Sequence, residues 1–376
     1  MQLPFTSTEF AARLALVRAA MARDGVDVLL VNKPENIYYL SGYETHGFFW
    51  CQVLVVAQEG EPYFIIRSPE ASNIRHTSLY QRFVGYRDHE CPITPTVAGL
   101  KDLGVRRVGM EPDSWFITPA QYGELVAAAP NVDFVDCSDL VDEIRCVKSP
   151  AEIAYTEAAA VIADATVKAG LESIAEASTD RDINAAVLAK MVLAGSEYPA
   201  LWPFVTSGPA TERFHVSWSG QPVVDGDLVY MHLGGVVRRY LGAVGRTGAR
   251  GRVSAKLADR HKILIEAQAE GIAAMRPGMT AAQAYHGFAR IVKKAGYGLL
   301  QGGYAIGINF PPRWPEWRKL RLNEGCDTVL TEGMVFHTPI SIREPGEQTP
   351  IVSNTVVLEK GGARLLTHHP EDLFIA

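Results

Sequence analysis

Nothing in this chain of 376 residues approaches the uninterrupted apolar run of roughly 18 residues that a membrane-spanning helix needs. A basic cluster is missing too. Lysine and arginine number 36 against 42 acidic residues, a net charge near -6, so the sequence carries no electrostatic footprint for nucleic acid or an anionic membrane. The opening M-Q-L-P-F-T-S-T-E-F has neither the basic start nor the apolar segment of a secretory leader, which predicts a cytoplasmic protein. Cysteine is scarce and scattered. Cys51, Cys91, Cys137, Cys146 and Cys326 show no C-x-x-C spacing, a pattern of buried thiols in a reducing compartment rather than of a disulfide framework or a zinc site. Internal repeats and low-complexity segments are absent.

What is present is an ordinary globular composition, 47% hydrophobic and 21% charged, over a length that suggests two domains. Helical spacing of Phe10, Leu14, Val17 and Met21 predicts a helix over 6–23, with Ser7 or Thr8 as its cap. Short buried strands are expected at 26–31, 52–56, 62–66 and 108–110, alternating with helices or turns, which points to an α/β domain. Ser149-Pro150-Ala151-Glu152 is a capping box with proline at the first helical position, so a long helix starts there. The expected domains are therefore 1–148 and 149–376, with the boundary near 148. In the second, helices are predicted at 151–172, 179–195, 256–276 and 280–295, and strands at 327–342 and 350–359.

Between those helices runs the stretch that organises the chain, D-G-D-L-V-Y-M-H-L-G-G-V-V-R-R-Y-L-G-A-V-G-R-T-G-A-R-G over 225–251. A turn signal, an apolar strand, Gly234-Gly235 and a second extended run through Arg246-Thr247 read as a hairpin. It resembles the metal-binding hairpin of the pita-bread superfamily, which holds methionine aminopeptidase, Xaa-Pro peptidases and creatinase. The resemblance implies a mixed α/β fold, with an N-terminal creatinase-like α/β domain followed by a pita-bread catalytic domain. In the metallopeptidases of that superfamily two Asp, one His and two Glu bind metal. Their positions fall here on His232, Ala243, Tyr304 (in G-G-Y-A-I-G), Pro339 (in G-M-V-F-H-T-P) and Ser353 (in I-V-S-N-T-V). Divalent cations need carboxylate or imidazole donors that converge on one point, and one imidazole among five positions does not supply them. The sequence thus predicts no metal and calls for no cofactor.

Within the superfamily the chain is most similar to the ectoine hydrolases. The shared runs are Y-L-S-G-Y at 39–43, V-G-Y-R-D-H at 84–89, E-Y-P-A-L at 197–201, G-Y-A-I-G-I-N-F-P-P-R-W at 303–314 and G-M-V-F-H at 333–337. That resemblance implies metal-independent hydrolysis of a C–N bond in a small cyclic amidine, amidino or amide amino-acid derivative. Two departures stand out. His232 replaces the acidic residue expected on the first hairpin strand, and Gly245 replaces the creatinase glutamate just before Arg-Thr.

His215, in S-G-P-A-T-E-R-F-H, matches the superfamily's S-G-x-x-x-x-x-x-H, whose histidine lines the substrate site. An imidazole is suited to proton transfer near neutral pH. His232 sits mid-strand, where a buried imidazole needs a partner. His337 reaches the same pocket by period-2 alternation with Val335. These three histidines are the acid–base candidates, with Tyr304 as a hydrogen-bond donor. Substrate-binding candidates are Arg67, Arg238 and Arg313 for a carboxylate, Glu316 for a cation, and Tyr39, Trp50, Trp202 and Trp314 as walls for a planar group. The expected partners are a small-molecule substrate and a second copy of the chain, a homodimer with the pocket near its interface. Because His232 removes the expected nucleophile, a lyase or cyclase on the same scaffold stays open, as does a non-catalytic small-molecule-binding protein.

Overall fold

The computed structural model describes residues 3–376. Two compact units divide between Arg145 and Cys146. In the first, six strands form one mixed sheet: β1 (Val28–Val31), β2 (Val53–Ala57), β3 (Tyr63–Arg67), β4 (Phe83–Tyr86), β5 (Arg107–Met110) and β6 (Asp133–Asp136), in the order β4-β3-β2-β1-β5-β6. β1 pairs antiparallel with β2 and parallel with β5, so its V-L-L-V sequence is buried at every position, as a central strand covered on both faces must be. The first helix is Ser7–Arg23, capped one residue earlier than expected. Thr6 is extended and its Oγ1 accepts from the Glu9 N–H at 3.2 Å, which leaves Ser7 and Thr8 inside the helix.

The second unit opens on the capping box. Ser149 Oγ accepts from the Glu152 N–H at 3.3 Å, and Glu152 Oε2 accepts from the Ser149 N–H at 2.8 Å. The helix they start, Pro150–Ser173, lies across the hairpin of β8 (Leu228–Val237) and β9 (Tyr240–Ala249). Glycines set that approach: a Cβ on Gly242 would run into the backbone of Ala160, and one on Gly235 into the carbonyl of Ala159. β7 (Phe204–Ser207) flanks the hairpin, pairing Phe204 with His232, while His232 faces Gly245 across it.

A second sheet follows. It contains β10 (Gly303–Ala305), β11 (Arg321–Leu322), β12 (Val335–His337), β15 (Thr355–Glu359) and β16 (Gly362–Leu365), ordered β11-β10-β12-β15-β16; β13 (Ile340–Ser341) and β14 (Ile351–Val352) pair beside it. β17 (Phe374–Ile375) joins the outer edge of β9. Helices Ala255–Ala274 and Ala281–Lys294 pack on one another and close a core with Phe288, Phe336 and Val356 at its centre. A bridge between Gly245 and Ser353 ties the two sheets together. Among the described residues no helix is long and apolar enough to cross a membrane.

Candidate active site

Two buried imidazoles define the site. His232 on β8 is 7% exposed and His337 on β12 is fully buried. Their rings stack with centroids 4.9 Å apart and planes 18° from parallel, and Nε2 of one lies 2.6 Å from Nε2 of the other. Trp314 meets His232 edge-on at 4.7 Å, and Tyr304, paired with His337 across β10 and β12, stands 5.6 Å from that ring.

Burial in this apolar surround holds the His337 imidazole down to about 3. His232 is pushed well below its ordinary range, first by burial and then by the neighbouring His337, His215 and Arg343. At neutral pH both rings are therefore uncharged, and the hydrogen bonds dictate their tautomers. His337 Nδ1 lies 3.2 Å from the carbonyl oxygen of Asn354. A carbonyl only accepts, so Nδ1 of His337 carries the proton and its Nε2 is an acceptor. His232 must then donate from Nε2, which leaves its Nδ1 with a lone pair. The sequence Asn354 C=O, His337, His232 is a directed chain that ends in a base.

The Asn354 carbonyl is itself fixed. It accepts from the Thr338 N–H at 2.9 Å, and the Asn354 side chain accepts from Arg246 Nη2 at 3.0 Å and donates to Glu371 Oε1 at 2.5 Å. Buried Arg246 also donates from Nη1 to the Ser353 carbonyl at 2.6 Å. The second hairpin strand thus holds the loop that orients the pair.

His232 opens on a cavity of about 170 Å³ whose lining residues all belong to the second unit. Tyr304 and His215 line it as well, whereas His337 lies behind His232. His215 is exposed and adopts a left-handed backbone, φ 51°, between Phe204 and Phe214. Pro339, Ser341 and Arg343 form another wall.

The remaining expected contacts fall elsewhere. Glu316 is buried in an ion pair with Lys148 and is unsuited to receive a substrate cation. Trp314 is 2% exposed and backs the imidazole pair instead of the cavity. Arg238 sits in the hairpin turn at φ 48° with its N–H on Glu197, and Arg313 lies in the loop after β10; neither lines the cavity. Trp202 is exposed outside it. In the first unit, Tyr39 is buried beneath the Arg13 guanidinium, 4.4 Å away. Arg67 lies over Trp50 at 4.5 Å and is paired with Asp88 at 2.6 Å, so its charge is already met.

The residues missed were Arg343, Ser341 and Tyr230. The signal was in hand: the alternation that picked out His337 continues through Pro339, Ser341 and Arg343, and Tyr230 is two residues before His232 on the same strand.

Residues 154–365 match the metallopeptidase family M24, and residues 13–147 match the creatinase/prolidase N-terminal domain. The chain belongs to metallopeptidase family M24. It is 28% identical to ectoine hydrolase of Halomonas elongata, covering 99% of this chain and 98% of that protein. It is 27% identical to the Xaa-Pro dipeptidase of Pyrococcus horikoshii over 94% of this chain and 96% of the relative. The prolidase structure from that organism superposes with a TM-score of 0.85 at 25% identity, covering 96% and 99% of the two chains. These relatives support a hydrolase of the M24 family.

The family name implies metal, and the donor set here does not fit it. The five positions carry one imidazole, one phenol, one hydroxyl, a methyl group and a proline ring, without a carboxylate. Ala243 is closed off, its N–H donating to Thr355 Oγ1 at 2.8 Å. Ser353 Oγ is buried without a partner, and a Cβ on Gly245 would meet it at 2.6 Å, so a longer side chain has no room there. Among the described residues no group of three or more His, Cys, Asp or Glu side chains is placed to hold a metal ion.

Proposed function

We propose that this M24 member hydrolyses a C–N bond in a small amide- or amidine-bearing amino-acid derivative by histidine acid–base chemistry, without a metal step. The observation that carries this reading is the His232–His337 pair. Two neutral imidazoles, ordered by a fixed carbonyl, present an acceptor nitrogen where the metallopeptidase frame has a ligand. Hydrolysis needs a base for water, an acid for the leaving nitrogen and a donor for the developing oxyanion. Nδ1 of His232 takes a proton from water as the oxygen attacks the substrate's acyl or amidine carbon. The resulting imidazolium keeps its Nε2–H on His337 and returns the gained proton to the departing nitrogen. Tyr304, whose phenol burial pushes up, stays protonated and serves as oxyanion donor. His215 at the cavity mouth is the second proton carrier, toward solvent. The cavity volume sets the scale of the reacting part, since about 150 Å³ accommodates a benzene ring.

The test is turnover of ectoine, creatine, an N-acyl amino acid and an Xaa-Pro dipeptide by chelator-treated, metal-analysed protein, beside His232→Ala and His337→Gln. The expectation is hydrolysis of a non-peptide substrate that survives chelation and drops by about 10² to 10⁴ in His232→Ala. His337→Gln replaces an imidazole acceptor with a carboxamide and should lie in between. Dipeptide cleavage that needs stoichiometric metal, or non-peptide hydrolysis indifferent to His232→Ala, would overturn the reading. A dimer, the assembly expected from the sequence, is checked by light scattering.

A further inference from the structure

Arg343 is a half-buried charge without a salt-bridge partner; Glu212 acts on it only from beyond ion-pair distance. Among the described residues no carboxylate lies within ion-pair distance of it, and Nε is buried with no hydrogen-bond partner. One nitrogen, Nη1, is committed to the carbonyls of Thr211 and Glu212, which pins the side chain. The guanidinium lies 3.7 Å over the Phe214 ring and acts on the Tyr230 hydroxyl, whose ring centre is 5.9 Å away, and the residue lines the same cavity as His232. A half-buried guanidinium held in place this way has lost much of its hydration and has no carboxylate in direct contact, Glu212 acting only at longer range.

The rest of the cavity has the same bias. No aspartate or glutamate is among its lining residues. Its polar groups are neutral or cationic: the guanidinium, two imidazoles, two phenols, a serine hydroxyl and the Gln301 carboxamide. An amidinium or guanidinium substrate would meet a fixed positive charge and no carboxylate.

Resting on the hydrolase reading above, we infer that Arg343 is the anchor for a substrate carboxylate, and that the group cleaved at His232 is a neutral amide or lactam rather than a cationic amidine. The guanidinium's free N–H donors form a charge-assisted pair with the carboxylate and fix the reacting carbon against His232. Binding and chemistry are thereby coupled. Arg343 is one of the charges that suppress protonation of His232. A carboxylate paired with it offsets that repulsion and makes His232 a stronger base only when substrate is present.

Benzoate, benzamide and benzamidine share one shape and differ in charge, so their binding by titration calorimetry reads the cavity's preference without turnover. Wild type is expected to bind benzoate about ten- to a hundredfold more tightly than benzamide, with benzamidine weakest. Arg343→Met should bring benzoate and benzamide within about threefold, and Arg343→Lys, which keeps the charge, should retain part of the gap. The wild-type ranking decides the matter even if Arg343→Met fails to fold. Benzamidine binding as well as benzoate, an unchanged ranking in folded Arg343→Met, or no benzoate binding at millimolar concentration would overturn the inference. Benzoate held by Arg343 in a protein that hydrolyses nothing would sink the hydrolase reading alone. Amidine turnover that benzoate does not inhibit would sink the Arg343 assignment alone.

Discussion

Acid should destabilise the second unit in a pH range where carboxylates are still ionised, and the imidazole pair is the reason. His337 is neutral in the fold, with its pKa held down to about 3, while the unfolded chain presents an ordinary histidine near 6.5. A base with a depressed folded pKa binds fewer protons folded than unfolded. Its stability contribution is therefore whole above pH 6.5 and is lost as pH falls toward the folded value. Between pH 7.5 and 5.0 linkage gives a loss of about 2 kcal/mol for His337 alone. That figure depends on the unfolded pKa, because at pH 5 the folded His337 has scarcely begun to titrate. His232, also pushed well below its ordinary range by burial and by His337, acts in the same direction. A loss of this size is a large share of the 5–15 kcal/mol typical of a domain. Urea unfolding followed by tryptophan fluorescence at pH 7.5, 6.5, 5.5 and 5.0 gives the slope. His337→Gln should remove about one proton's worth of it, roughly 1.4 kcal/mol per pH unit at pH 5. A wild-type stability flat over this range, or a slope unchanged in His337→Gln, would refute the neutral-pair geometry and the tautomer chain built on it.

Two further outcomes check the frame around the pair. Lys148→Met should cost about 3–5 kcal/mol by taking the ammonium away from the buried Glu316 carboxylate, and the double change with Glu316→Leu should recover much of that loss in thermal unfolding; a single change that costs nothing would deny the pair. Gly242→Val should lower thermal stability by more than 2 kcal/mol, because its side chain would need space held by the Ala160 backbone, and a stable Gly242→Val protein would refute that close packing.

Much of the fold was legible because local signals and long-range packing agreed. Ser149-Pro150-Ala151-Glu152 announced a helix start that the side chains execute. The hairpin was legible as well but its turn was misplaced: Gly234-Gly235, read between the two strands, lies inside β8, and the chain reverses at Arg238-Arg239, both at positive φ. The Thr6 cap was misplaced by a residue because three consecutive hydroxyl residues, Thr6, Ser7 and Thr8, are equally competent locally. The choice among them belongs to the backbone, which is extended at Thr6. For the same reason aromatic and charged residues were poor guides to the site. Trp314, Glu316 and Arg67 have the right chemistry for a ligand, but each is consumed by a partner that lies far away in sequence or on another strand. Sequence shows what a side chain offers and not what has already taken it.

The histidine pair shows where that limit lies. The sequence offered His232 as a mid-strand imidazole in need of a partner and His337 as a residue facing the same way, yet nothing in either segment says that their nitrogens meet. That contact is made between strands far apart in sequence, beside the Gly245–Ser353 bridge, with His232 paired to Gly245 and His337 to Thr355. Glycine at 245 leaves room beside the serine hydroxyl, which a Cβ there would meet at 2.6 Å. Restoring a single acidic residue, as in His232→Asp, should not recreate a metal centre. It removes the donor that His337 accepts from and leaves a buried carboxylate facing that nitrogen. The expected product is a less stable protein whose metal content, measured by mass spectrometry after dialysis against Mn²⁺ and Zn²⁺, stays well below one ion per chain. Stoichiometric uptake by His232→Asp would show that the remaining positions still form a working ligand set.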